Sequence, residues 1–231
     1  MTNTLAIDEI VDKLLADGVP LMAEKKVDLA RELSAMCART PSGEVKAWPV
    51  VESVQRDGIC VEAIAPAPGL DDGLASRARD LSVRVAEELG VTGVLAVELF
   101  ETRDAAGQPE IFVNELAMRP HNTGHWTIDG AHTSQFENHL RAVLDLPLGD
   151  PRARDPWCMM VNVLGGGVDD LTSELLHCFA RDPRLRVEFY GKQLRPGRKV
   201  GHVVCYGDDL DEVRGRAQHA ARYLMGEIRE G

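Results

Sequence analysis

From Asp71 to Leu89 the apolar residues Leu74, Ala78, Leu81, Val85 and Leu89 recur at helical spacing, and Gly90 follows as a natural stop. The same period appears in Ile7–Leu15, in His132–Leu144 with Phe136, Leu140, Val143 and Leu144, in Leu171–Phe179, and in Asp208–Met225 with Leu210, Val213, Ala217, Ala221 and Leu224. These five stretches predict helices. Between them the pattern changes to alternation or to short apolar runs bounded by turn residues. Pro20–Lys26 reads as extended. Arg31–Thr40, Val45–Glu52 and Gly58–Ile64 read as three strands of an antiparallel meander, the first two joined by the turn Pro41-Ser42-Gly43-Glu44. Val91–Phe100 and Glu110–Asn114 predict a pair of strands around the loop Asp104–Gln108. Cys158–Leu164, Leu185–Tyr190 and Lys199–Tyr206 predict three more. Helices mixed with mainly antiparallel strands give an α+β class. The proline- and charge-rich stretch Pro147–Pro156 suggests a boundary, with one unit over 1–154 and a smaller α+β unit over 155–231.

Composition narrows the function classes. At 231 residues the chain can bury a core in one or two domains. A net charge of -11 argues against a general nucleic-acid binder, which needs a basic face. No apolar run reaches the length of a bilayer span, and Met1-Thr2-Asn3-Thr4 does not open a secretory signal, so no membrane partner is expected. Five cysteines, an odd number with no C-x-x-C pair, fit reduced buried thiols in a cytoplasm and disfavour a zinc site.

The chemistry concentrates in Asn114–Thr127, which packs a carboxylate, an arginine, two histidines and two asparagines into one segment with Pro120 and Gly124. Proline and glycine disfavour a continuous helix, so these side chains should converge from a loop suited to an anion. Glu98 lies in an otherwise apolar strand and Glu115 ends the next one. The two are either ordinary salt-bridged glutamates or, with the Asn114 amide, hard oxygen ligands for a Mg²⁺ shared with phosphates. Glu24-Lys25-Lys26-Val27 with Glu32 is either a solvated charged strand or a segment whose main chain meets an adenine edge while a carboxylate accepts ribose hydroxyls. Lys192, Arg195, Arg198 and Lys199 form a basic turn in an acidic chain, either a surface feature or a phosphate contact. His121 and His125 are four apart, but Pro120 and Gly124 spoil a helical metal pair. A G-x-S-x-G nucleophile elbow is absent, and Gly165-Gly166-Gly167 lacks the G-K-[ST] of a P-loop.

Taken together, several segments resemble the 5-(carboxyamino)imidazole ribonucleotide synthases, ATP-grasp ligases of purine biosynthesis. They include Arg31-Glu32-Leu33-Ser34, Trp48-Pro49-Val50-Val51-Glu52, Arg56-Asp57-Gly58-Ile59, Asn114-Glu115-Leu116-Ala117, His121-Asn122-Thr123-Gly124-His125-Trp126-Thr127, Thr133–Arg141 and Arg195–His202. They run from about Glu24 to His202, and the His-Asn-x-Gly-His-Trp-Thr and Arg-Pro-Gly-Arg-Lys runs are the most specific. The resemblance implies the larger ATP-grasp subdomain followed by the small C-terminal domain. It implies ATP and Mg²⁺, bicarbonate activated as carboxyphosphate, and 5-aminoimidazole ribonucleotide as acceptor. By the same match Glu98 and Glu115 would hold Mg²⁺. Glu24, Lys25, Lys26, Val27, Glu32, Gln55, Asn114 and Glu115 would line the nucleotide pocket. Arg119 and His121 would face bicarbonate or carboxyphosphate, and Lys192 and Arg198 would bind the ribonucleotide phosphate.

The chain departs from the family pattern at Met118, where proline is usual, and at Gln55, where a histidine is usual. The loop between Glu98 and Glu115 is also longer than expected. Family members carry a further N-terminal domain and a Gly-rich loop, and neither precedes Ile7 here. This leaves three readings: the carboxyl-terminal portion of a full enzyme, inactive alone; one half of a split enzyme whose other half is a separate chain; or a non-catalytic nucleotide-binding module. A homodimer, the usual assembly of the family, is a further expectation.

Overall fold

The computed structural model describes residues 4–229, with side chains described from Ile7 onward. The elements in chain order are α1 (Thr4–Ala16), β1 (Arg31–Arg39), β2 (Val45–Ala47), β3 (Val51–Arg56), β4 (Ile59–Ala65), α2 (Asp72–Glu88), β5 (Gly93–Arg103) and β6 (Pro109–Ala117). A single 3-10 turn (Asn122–Gly124) follows, then α3 (Thr127–Gly130), α4 (Gln135–Val143), β7 (Trp157–Leu164), α5 (Leu175–Arg181), β8 (Arg186–Phe189), β9 (Lys199–Gly207) and α6 (Leu210–Leu224). The α+β class read from the sequence is the one observed. Pro20–Lys26 forms no strand.

All nine described strands join one antiparallel sheet in the order β6-β5-β1-β3-β4-β7-β9-β8, with β2 also on β1. The boundary expected near residue 155 falls just before β7, which pairs directly with β4 (Ile64 with Met159), so the sheet runs unbroken across it. The single strand expected over Val45–Glu52 is split. Both pieces lie on the same edge of β1, where Cys37 pairs with Ala47 and Ser34 with Val51. Three residues, Trp48-Pro49-Val50, therefore oppose two of β1. Pro49 lacks the N–H a ladder needs and sits in that bulge.

Burial follows the two faces of this sheet. In β1, Met36 and Ala38 join one apolar cluster with Trp48, Trp126 and Met160, while Leu33, Ala35 and Cys37 join another with Ala78 and Ala86 of α2. In β7, Cys158 and Met160 belong to the first cluster, and Met159, Val161 and Val163 pack with α6. Helices α2 and α6 thus cover one face. The segment from Met118 to Ser134, with α3 and α4, covers the other. Asp71 caps α2 by accepting from the Leu74 N–H, which explains why the helix begins there.

Helix α4 inverts the usual arrangement. Its apolar stripe Phe136, Leu140, Val143 and Leu144 is exposed, whereas Gln135, Asn138 and Ala142 are buried. Polar contacts hold it instead. Ser134 caps it through the Glu137 N–H, Asn138 Oδ1 accepts from the Gly149 N–H at 2.7 Å, and His139 Nδ1 accepts from the Val94 N–H at 3.1 Å.

Candidate functional site

The site lies on the α3/α4 face, where the edge hairpin β5–β6, the loop after β6 and the start of β9 meet. Regular pairing along β5 and β6 breaks once: Glu98 opposes Glu115, but Leu99 opposes Val113, so Asn114 is an extra residue on β6. Such a bulge turns neighbouring side chains out of strict alternation. Asn114 Nδ2 comes to 3.4 Å from Glu98 Oε2. Burial, then the charges of Glu115 and Glu32, raise the pKa of Glu98, while Arg119 and Lys199 oppose that rise. The hairpin therefore concentrates negative charge that nearby cations only partly offset.

The loop behind the hairpin is irregular, as its Pro and Gly content required, with two short helical turns. His121 Nε2 lies 3.2 Å from Glu98 Oε1, and its Nδ1 lies 2.9 Å from Thr123 Oγ1. Thr123 in turn bonds Ser34 of β1 at 2.9 Å. Desolvation, then the charges of Arg119, His125 and Lys199, push the His121 pKa down to about 4. His121 is thus neutral at physiological pH and donates to Glu98 as an uncharged imidazole. Arg119 itself is exposed, with Nη1 donating to the Pro120 carbonyl. Asn122 Nδ2 reaches Cys60 Sγ at 3.3 Å. His125 stacks on His202 at 4.9 Å and on Phe136 at 5.7 Å, and Tyr190 OH pairs with His202 Nδ1 at 2.7 Å. Burial takes His125 to about 4 and His202 to about 3.

The basic segment reaches the same place. Lys199 is close enough for its charge to act on Cys60, Glu98, His121 and His125, and Lys192 acts on His125 while its Nζ sits 5.0 Å from the Tyr190 ring centroid. The acidic hairpin and the start of β9 therefore lie within electrostatic reach of one another on the α3/α4 face. Arg198, the residue picked out beside Lys192, is exposed in the turn just before β9, where its carbonyl accepts from the Gly165 N–H. Lys199 belongs to the basic turn but is not among the residues that the resemblance assigns to the phosphate. A second irregularity explains the miss: Val163 pairs with Gly201 but Leu164 with Lys199, leaving Val200 extra. Val200 packs with Val203 in the α6-side core, so Lys199 turns to the face of His202 instead of following strict alternation.

The nucleotide-side residues also gather. Glu24, Lys25, Lys26, Val27, Glu32 and Asn114 line a cavity of about 630 Å³ closed by Leu29, Phe100, Phe112 and Val113. Gln55 stands beside it, hydrogen-bonded to Glu32 and donating to Ser53 Oγ at 2.9 Å. Desolvation raises the pKa of Glu32. Among the described residues no group of three or more His, Cys, Asp or Glu side chains forms a complete metal cage. All five cysteines are buried and free. No helix among the described residues is long and apolar enough to cross a membrane.

The model of the ATP-grasp domain matches residues 1–136, which hold the hairpin β5–β6 and the cavity bounded by Glu24–Val27. The chain belongs to the ATP-grasp family. The model of the phosphoribosylaminoimidazole carboxylase C-terminal domain matches residues 158–216. The chain is 59% identical over 213 residues to the N5-carboxyaminoimidazole ribonucleotide synthase of Mycobacterium tuberculosis, a match that takes in 91% of this chain and 49% of that protein. Among solved structures it is similar to the N5-carboxyaminoimidazole ribonucleotide synthetase of Thermus thermophilus, with TM-score 0.81, 38% identity, and coverage of 97% of this chain and 59% of that one. It is also similar to the Aspergillus clavatus N5-carboxyaminoimidazole synthase in complex with ADP and 5-aminoimidazole ribonucleotide, with TM-score 0.82, 33% identity, and coverage of 94% and 57%. The chain spans about half the length of the curated relatives it matches.

Proposed function

We propose that this chain forms the metal, bicarbonate and ribonucleotide side of an ATP-dependent ligase that carboxylates 5-aminoimidazole ribonucleotide in purine biosynthesis, in a cytoplasmic setting. The observation that carries the reading is the convergence of charge at this face, where Lys199 acts on Glu98, His121 and His125 and Lys192 acts on His125. Joining bicarbonate to an amine at the expense of ATP requires several anions to be held together, and alternating charges of this kind offset their mutual repulsion.

In the proposed reaction a bicarbonate oxygen attacks the γ-phosphorus of ATP, giving carboxyphosphate and ADP. The exocyclic amine then attacks the carboxyl carbon, the bond to phosphate breaks, and the amine loses a proton. The donor set suits Mg²⁺: Glu98 and Glu115 supply two hard oxygens, and nucleotide phosphates and water would complete the shell, as this ion prefers. Burial, and then the charge of Glu115, raise the pKa of Glu98, and a cation between the two carboxylates would offset their repulsion. When bound, the metal would neutralise phosphate charge. The chain's own residues would do the rest. Arg119 brings a fixed positive charge to bicarbonate or carboxyphosphate. His121 offers a neutral imidazole beside it, and Lys192, Arg198 and Lys199 take the ribonucleotide phosphate. The cavity bordered by Glu24–Val27 and Glu32 takes the adenosine, with Gln55 holding Glu32 in place and Asn114 on its wall.

Phosphate release from ATP, measured on the chain alone and in the presence of the remaining half of a relative, tests this. Release that requires both bicarbonate and 5-aminoimidazole ribonucleotide is the expected result. Release independent of the ribonucleotide, or calorimetric titrations in which neither Mg-ATP nor the ribonucleotide binds, would remove the proposal.

A further inference from the structure

Gln135 opens α4 and is fully buried, an uncommon place for an uncharged amide. Its amide lies between the two histidines of the site loop. Oε1 accepts from the His121 N–H at 2.8 Å, Nε2 donates to the His121 carbonyl at 2.8 Å, and the same Nε2 lies 3.0 Å from His125 Nδ1. The identity of the two amide atoms is fixed by their partners. A backbone N–H only donates, so the atom facing it must be the oxygen. The atom facing both the carbonyl and His125 must then be the NH₂ group. An NH₂ group has no acceptor capacity, so His125 Nδ1 must carry a lone pair, and the proton of the neutral ring resides on Nε2.

We propose that Gln135 is a positioning residue that locks His125 in the Nε2–H form, so that the imidazole presents a fixed N–H donor to the site. The Nε2 edge has no protein partner among the described residues and is not among the buried atoms left unpaired, so it opens outward. Stacking between His202 and Phe136 fixes the plane of the ring. Burial and the charges of Lys199 and Lys192 keep it from protonating, which preserves a donor without adding a third cation. A preset donor of this kind is suited to an oxygen that gains negative charge during carboxyl transfer. That last step rests on the function proposed above; the lock itself does not.

Gly124 supplies independent support from the sequence. A Cβ on Gly124 would come 2.5 Å from Gln135 Oε1 and 2.8 Å from Gln135 Cδ. Its φ is not positive, so the glycine provides room instead of backbone freedom, for the Gln135 amide and for Met36 Cε, which a Cβ would also meet at 2.5 Å. The glycine of His-Asn-x-Gly-His and the glutamine eleven residues later are thus parts of one device.

The test uses the intact chain labelled with ¹⁵N and long-range proton–nitrogen correlation spectra, with His125→Asn to assign the ring. The expected wild-type spectrum shows His125 protonated on Nε2 and bare on Nδ1. Gln135→Met, of similar size but with no donor, should give an averaged mixture of the two tautomers. A wild-type ring protonated on Nδ1 overturns the proposal even if the variant does not fold. So does an unchanged, purely Nε2-protonated His125 in Gln135→Met. Because no turnover is read, failure here is distinct from failure of the proposed reaction.

Discussion

Replacing Gly124 by alanine places a methyl group where Gln135 Oε1 and Met36 Cε each lie 2.5 Å away. The Met36 terminus can swing aside at small cost. The Gln135 amide cannot, because its three hydrogen bonds hold it in a fully buried position. Overpacking of this kind costs about 1–3 kcal/mol, and one buried polar group left without its partner adds about 1–3 kcal/mol. The sum expected is about 2–6 kcal/mol, equivalent, at about 2–4 °C per kcal/mol for a chain of this size, to a fall of roughly 4–24 °C in Tm. An internal control is available in Gly215, which lies inside α6 with an open flank and no atom within 4 Å of a Cβ. There the same substitution gains helix propensity and should stabilise by about 0.5–1 kcal/mol. Urea unfolding followed by circular dichroism reads both. A Gly124→Ala protein within about 0.5 kcal/mol of wild type would show that the amide is not held as described and would refute the reasoning. Opposite signs for the two variants are the signature expected.

Four further perturbations test the site. His121, His125 and His202 have folded-state pKa values of about 4, 4 and 3, below the ordinary 6.5. The unfolded chain therefore binds more protons between those limits, and stability should be full above about pH 6.5 and fall as pH drops towards 4. With three protons involved, the slope approaches about 4 kcal/mol per pH unit; urea midpoints that stay flat from pH 7 to 5 would contradict this. Glu115→Gln removes the like charge facing Glu98, so the unliganded chain should become slightly more stable at pH 7, with the gain vanishing in acid as Glu98 protonates. In an active full-length or reconstituted enzyme the same change should abolish Mg-ATP turnover, and retained turnover would remove Glu115 from metal binding. Lys199→Ala should weaken ribonucleotide binding by about 10–100-fold, the range of a charge-assisted contact. Arg198→Ala should chiefly raise the KM for the ribonucleotide. Steady-state kinetics on the reconstituted enzyme separates the two, and an effect of either confined to ATP would mean it has been wrongly placed.

What the sequence determined by itself was local. Helical period and flanking Asp71 and Gly90 set α2, alternation set most strands, and the Asp57-Gly58 pair, both with positive φ, set the hairpin between β3 and β4. The pairing of acidic residues on one hairpin and the concentration of Arg, His and Asn in the next loop were also legible, because residue type and short spacing carry that information. The tertiary structure decided which of these side chains face one another. Strict alternation does not predict the turning of Asn114 towards Glu98 or of Lys199 towards His125; an extra residue in β6 and another in β9 do that. Nor does apolar spacing in α4 show which face is buried. Its stripe of Phe136, Leu140, Val143 and Leu144 is exposed, and Gln135 and Asn138 face inward because the loop and Gly149 offer them hydrogen bonds. Period is a property of one element, whereas register, bulges and the partners of a buried amide are set by neighbouring strands and loops far away in the chain, so the elements were readable early and the facing of the site was not.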